Sequence, residues 1–191
     1  MHKTHNTLPE EIRTQSVELL NLHLAAAIDL HAQMKQAHWN VRGPGFIAIH
    51  ELFDRVSTQV EDFSDLIAER AAGLGGTANG TIQTAAQHSY LIPYPLGIAD
   101  EQKHLFAVSG ALAAFGGSIH EAIEKSTLIE DATTADLFTE ISRGVDQQFA
   151  FPRVVTAGLF HIGMFTGVAG QNRGRCMPVI RRCTDQRIDF R

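Results

Sequence analysis

A chain of 191 residues, 44% apolar and 19% charged, fits one globular domain with or without an appendage and is too apolar for disorder over most of its length. No run of about 18 apolar residues occurs, which excludes a membrane span, and the first residues turn polar and acidic where a secretory signal needs an apolar stretch, so a cytoplasmic protein is expected. The net charge of −5 divides unevenly, with 9 Lys/Arg against 19 Asp/Glu in residues 1–150 and 7 Arg against 2 Asp in residues 151–191; an acidic body attracts cations and repels nucleic acid, while the tail alone does the opposite.

Thr7-Leu-Pro9-Glu10 has the form of a capping box with proline near the first turn, and helical apolar spacing from Ile12 predicts a first helix to about Asn40. After the breaker run Arg42-Gly-Pro-Gly45, residues 46–72 predict a second helix that stops at Gly73-Leu-Gly-Gly76. Residues 77–99 read as a long connection with a short helix near Ala85 to His88. Asp100 opens a third helix ending near Lys125, and Thr133-Thr-Ala-Asp136 caps a fourth that runs to about Phe149, where Pro152 ends it. Four such helices without strand alternation predict an all-α, antiparallel four-helix bundle with one long crossover, the ferritin-like arrangement. Residues 1–150 thus form the expected domain. Residues 151–191 form a tail, first apolar and glycine-rich, then rich in arginine, with no clear helical period.

The second helix carries the residues that suggest chemistry. At about 100° per residue, with His50 at zero, Asp54, Glu61, Asp65 and Glu69 fall within about 100° of it. Leu52, Phe53, Val56, Val60, Phe63, Leu66 and Ile67 fall between about 160° and 300°. The acidic stripe therefore points away from the core of its own chain. Bundles that hold two metals internally use a Glu-x-x-His motif on each of two helices. This chain has one, Glu101 to His104, which reads as a solvated helix start. A metal site would then lie on the outward face of the second helix and need a second protein surface, which implies a site shared between two subunits. His38, at the end of the first helix, supports it. Mixed imidazole and carboxylate donors with open water positions suit ferrous iron better than calcium or structural zinc. The competing reading is a solvated acidic face, against which stands the scarcity of cations, only Arg55 and Arg70 lying on that helix.

Lys35-Gln-Ala-His-Trp-Asn-Val-Arg-Gly43, then Phe46-Ile-Ala-Ile-His-Glu51, Asp65 through Glu69-Arg70, the Tyr94-Pro-Leu crossover and Thr134-Ala-Asp-Leu-Phe together resemble the Dps (DNA protection during starvation) family of miniferritins over residues 8–150. The resemblance implies His38 and His50 as iron ligands from one subunit, Asp65 and Glu69 from a partner across a two-fold axis, and Asp54 close by. It also implies a ferroxidase that uses hydrogen peroxide, a homododecameric shell and a stored ferric mineral. Trp39 becomes a candidate acceptor of an oxidising equivalent, with plain packing as the alternative. Asp136 and Asp146 match positions lining acidic pores for iron, Asp131 more loosely, with surface solvation as the alternative for each. His23, His31 and His120 match no ligand position and are expected to be structural.

The last 41 residues depart from that pattern, either as a genuine extension or through a change of reading frame. Cys176 and Cys183 match no common zinc spacing and make no disulfide framework. The N-terminal segment offers only Lys3 and two histidines, His2 and His5, to a nucleic acid. Arg173, Arg175, Arg181, Arg182, Arg187 and Arg191 offer more, so weak, salt-sensitive, sequence-independent DNA binding is the expectation. A nucleoid-coating protein with secondary iron chemistry, and a purely structural bundle, are the other readings.

Overall fold

The computed structural model describes the backbone of residues 1–165 and the side chains of residues 1–148. Its helices are α1 (Glu10–Asn40), α2 (Phe46–Gly73), α3 (Ile82–His88), α4 (Glu101–Leu128) and α5 (Ala132–Phe165). Short turns make α1/α2 and α4/α5 antiparallel neighbours. The crossover containing α3 carries the chain from the first pair to the second, and α4 packs on α1 while α5 packs on α2. The four long helices form the expected ferritin-like bundle.

Each long helix contributes a stripe at helical spacing to one core. Leu20, Leu24, Ala27, Leu30, Met34, Phe53, Val60, Ile67, Leu112, Phe115, Ile119, Phe138, Ile141 and Val145 are buried there. Along α2 the predicted apolar face is the buried face, apart from the half-exposed Leu66. By length and a mean hydropathy of 1.2, α4 could cross a membrane. It is instead a core helix whose Leu105, Val108, Leu112, Phe115, Ile119 and Ala122 are buried at intervals of one turn.

Four local expectations are corrected. Thr7 does not cap α1: Pro9 stands at the N-cap without a side-chain cap bond, and Glu10 and Glu11 lie in the first turn, where carboxylates favour the helix dipole. The short helix is α3, which begins earlier, at Ile82, because Thr81 accepts from the backbone N–H of Thr84. The cap of α5 is Asp131 rather than Thr133, its Oδ1 accepting from the Thr134 N–H at 3.1 Å. Pro152 does not end α5, which continues to Phe165. A proline denies the helix one N–H, here the partner of the Gln148 carbonyl, a local cost that a long helix can absorb. The arginines of residues 173–191 and both cysteines lie outside the described residues.

Candidate metal centre

The turn between α1 and α2 brings His38 and His50 together. Their rings stack with centroids 3.7 Å apart and planes at 22°. His38 Nδ1 donates to the His50 carbonyl at 3.1 Å, and His50 Nδ1 donates to the His38 carbonyl at 2.9 Å. A carbonyl can only accept, so each Nδ1 carries a proton, and in the neutral ring it is Nε2 that offers the lone pair. This is the arrangement by which proteins orient metal-binding imidazoles. Both side chains are half-buried.

One turn further along α2, the exposed Asp54 lies beside the pair, its Oδ1 3.7 Å from His38 Nδ1. Lys35 Nζ donates to the same oxygen at 2.7 Å. That hydrogen bond chiefly, opposed by desolvation and aided by the Lys35 charge, holds the Asp54 carboxyl below its usual range. Lys35 was not anticipated as a partner. It precedes His38 by three residues and so shares its face of α1, a signal present in the sequence.

Asp65 and Glu69 are exposed on the same outward side of α2, as is Glu61. At 1.5 Å per residue, however, Asp65 lies about 22 Å and Glu69 about 28 Å along the axis from His50. A single chain does not bring them to the histidines, and among the described residues no three His, Cys, Asp or Glu side chains converge to hold a metal. Exposed apolar side chains flank the pair, with Trp39 68% and Ile47 70% exposed.

Other positions fall elsewhere. Asp136 and Asp146 are exposed on α5. Asp131 is 1% exposed and fully engaged. Its carboxylate accepts from Ser16 Oγ at 2.7 Å, from Thr134 Oγ1 at 2.6 Å and from Arg70 Nη2 at 2.7 Å. A pore-lining carboxylate must face water, so Asp131 is corrected from a pore position to a buried cap. Burial pushes its carboxyl up, but the bonds from Thr134 and Ser16 and the Arg70 charge outweigh that and leave it lowered. Arg70 is thereby turned away from the acidic stripe.

His23 meets the Leu19 carbonyl at 2.8 Å and Ser118 Oγ at 3.1 Å. His31 meets the Ser57 carbonyl at 3.1 Å, and His120 meets Ser142 Oγ at 2.8 Å. All three hold structural contacts. The Glu101-x-x-His104 segment is not a solvated helix start, since Glu101 is 6% and His104 0% exposed. Tyr94 Oη lies 2.6 Å from His104 Nδ1, and Glu101 Oε2 accepts from the Gly45 N–H at 2.9 Å. Sequence periodicity misses both because their partners lie outside α4, in the crossover and in the α1–α2 turn.

Four long helices, one long crossover and an outward histidine pair define a protein of the ferritin-like class, and the family model described as "Ferritin-like domain" matches residues 17–150. The "DNA protection during starvation protein" of Agrobacterium fabrum is 43% identical over 150 residues, covering 78% of this chain and 93% of that protein. In three dimensions the chain is similar to Mycobacterium smegmatis Dps in a tetragonal form, with TM-score 0.76 and 28% identity over 81% of this chain and 93% of that one. It is also similar to Dps from Microbacterium arborescens in the high iron form, with TM-score 0.72 and 32% identity over 81% and 98% of the two chains. The chain belongs to the Dps family.

Proposed function

We propose that the protein is a ferroxidase and iron store whose sites form between two copies, His38 and His50 from one meeting Asp65 and Glu69 from the other beside Asp54. One observation carries this reading. The two imidazoles are held by each other's carbonyls with both Nε2 lone pairs free, while the acids on the same stripe lie too far along α2 to complete a site in one chain. An antiparallel second copy of α2 would bring the acids of each chain to the histidines of the other, as a two-fold interface requires. The exposed Trp39 and Ile47 beside the histidines supply the apolar surface such an interface covers.

Iron is the substrate. Two ferrous ions held at one site each give an electron to hydrogen peroxide, whose O–O bond breaks to leave two hydroxide ions, and the ferric ions take these up with further water as oxyhydroxide, releasing protons. The carboxylates favour the more highly charged ferric state. Trp39, the neighbour of His38 in the chain, is the candidate to accept a stray oxidising equivalent, with plain packing against a second copy as its other role. Twelve copies closing into a shell store the mineral, with Asp136 and Asp146 lining its acidic pores. Consuming iron and peroxide together prevents hydroxyl radical formation and protects DNA, which agrees with the names its relatives carry. We place the protein in the cytoplasm, and assign the Arg-rich residues 171–191 weak, sequence-independent DNA binding. A gel shift at low salt with the full chain and with those residues deleted tests the latter, equal binding refuting it.

The enzymatic reading is tested by following peroxide-dependent loss of ferrous iron, together with light scattering after iron loading. The wild-type shell should oxidise and retain iron, and the His50→Ala, Asp65→Ala double variant should assemble but not oxidise it. Equal rates in the two would refute the reading.

A further inference from the structure

We propose that Glu101 is a positioning residue for the histidine pair: from the start of α4 it caps α2 and so fixes the register in which His38 and His50 face each other. The proposal rests on the metal-site reading above. A helix start leaves backbone N–H groups without partners, and the N-cap of α2 is Gly45, which has no side chain to offer them. Glu101 satisfies one of these groups from 56 residues away, its Oε2 accepting from the N–H of the N-cap residue itself, Gly45, at 2.9 Å. A buried carboxylate is the residue type that the positive end of a helix dipole favours.

The turn itself confirms how closely it is held. A Cβ at Gly43 would meet the Glu101 carboxylate, and Gly43 has φ +156°, so the backbone of the turn lies directly against that side chain and a larger residue at position 43 would have to push it aside. Arg42 N–H donates to the Ala99 carbonyl at 2.8 Å. Residues 42–45 are therefore fastened at two points to residues 99–101. His38 precedes this turn and His50 follows it, and each ring depends on the other's carbonyl. A shift of the turn displaces both ligands together. The solitary Glu-x-x-His segment acts on the metal site from outside it, by holding the turn rather than by ligation.

The test uses assembled shells of the full chain titrated with cobalt(II), a divalent probe that peroxide-free buffer leaves unoxidised. Binding is read from the cobalt absorption band and from emission of Trp39, the single tryptophan of the chain. Four variants are compared with wild type: Glu101→Ala, Glu101→Gln, Gly43→Ala, which crowds the carboxylate without removing it, and His50→Ala as control. Native mass and thermal midpoint are recorded for each. Glu101→Ala and Gly43→Ala should weaken cobalt binding about tenfold, the usual effect of losing a group that orients a ligand. Glu101→Gln, which keeps an oxygen acceptor, should stay within about threefold of wild type.

Wild-type cobalt affinity in both Glu101→Ala and Gly43→Ala, with only the thermal midpoint lowered, would reduce Glu101 to a stabilising cap and overturn the proposal. So would a Gln variant as weak as the Ala variant. If Glu101→Ala does not assemble, the contrast between Gly43→Ala and Glu101→Gln decides. Undiminished binding by His50→Ala would instead refute the metal-site reading itself, whatever the other variants show.

Discussion

His38 and His50 hold one another, each Nδ1 donating to the other residue's backbone carbonyl while the rings stack 3.7 Å apart. Neither ring is oriented independently. On the proposed reading, replacing one by Ala removes an iron ligand and also releases the other imidazole from its stacking partner. Each single variant should lose about a hundredfold in the initial rate of ferrous oxidation, and the double variant should lose far less than the product of the two. Initial rates under saturating peroxide check this, and independent, multiplicative losses would contradict it.

Lys35 pairs with Asp54, and on the proposed reading competes with iron for it. Its ammonium lies 2.7 Å from the carboxylate oxygen that faces His38, and both side chains reach solvent. Lys35→Ala should raise cobalt(II) affinity by about two- to fivefold at low salt, the scale of an exposed ion pair. The gain should shrink as salt screens the charges. Titrations at two ionic strengths measure it, and a loss of affinity would show that Lys35 helps to hold the site.

Asp131 ties the start of α5 to Ser16 of α1 and Arg70 of α2. Asp131→Ala leaves Arg70 without its carboxylate and should destabilise the fold by about 3 kcal/mol. Because the folded-state carboxyl is lowered, its stabilisation is complete above the unfolded value of about 3.9 and is lost as pH falls below that. Denaturant melts of wild type and Asp131→Asn should differ by a constant amount above about pH 5 and converge in stronger acid.

His23 is 1% exposed, and burial lowers its basicity against the opposing effect of its backbone contacts. The unfolded chain takes up a proton near pH 6.5, the folded chain only in stronger acid. Stability is therefore complete above about pH 6.5 and declines as pH falls from there. His104, lowered by the same cause, adds to the decline. The thermal midpoint should fall between about pH 7 and pH 5, less steeply in His23→Gln. An unchanged slope in that variant would show that His23 does not contribute.

Much of this architecture is legible in the sequence, because helical periodicity reports which face of α2 is buried and which carries His50, Asp54, Asp65 and Glu69. The breaker runs at residues 42–45 and 73–76 mark its ends for the same local reason. What escapes such a reading depends on partners far along the chain. Asp131 looks like a surface acid until Arg70 and Ser16 close on it, and Glu101 looks solvated until the α1–α2 turn packs against it. Pro152 looks like a stop because its local cost is plain, yet α5 continues past it to Phe165.

The shared site is tested most directly by complementation between two inactive variants. His50→Ala and Asp65→Ala subunits are denatured, mixed in equal amounts and reassembled, and peroxide-dependent ferrous oxidation is compared with each variant reassembled alone. If each site takes its histidines from one copy and its acids from another, random pairing restores about a quarter of the sites, and activity should reappear in the mixture only. A mixture that assembles fully and stays as inactive as its components would contradict the account.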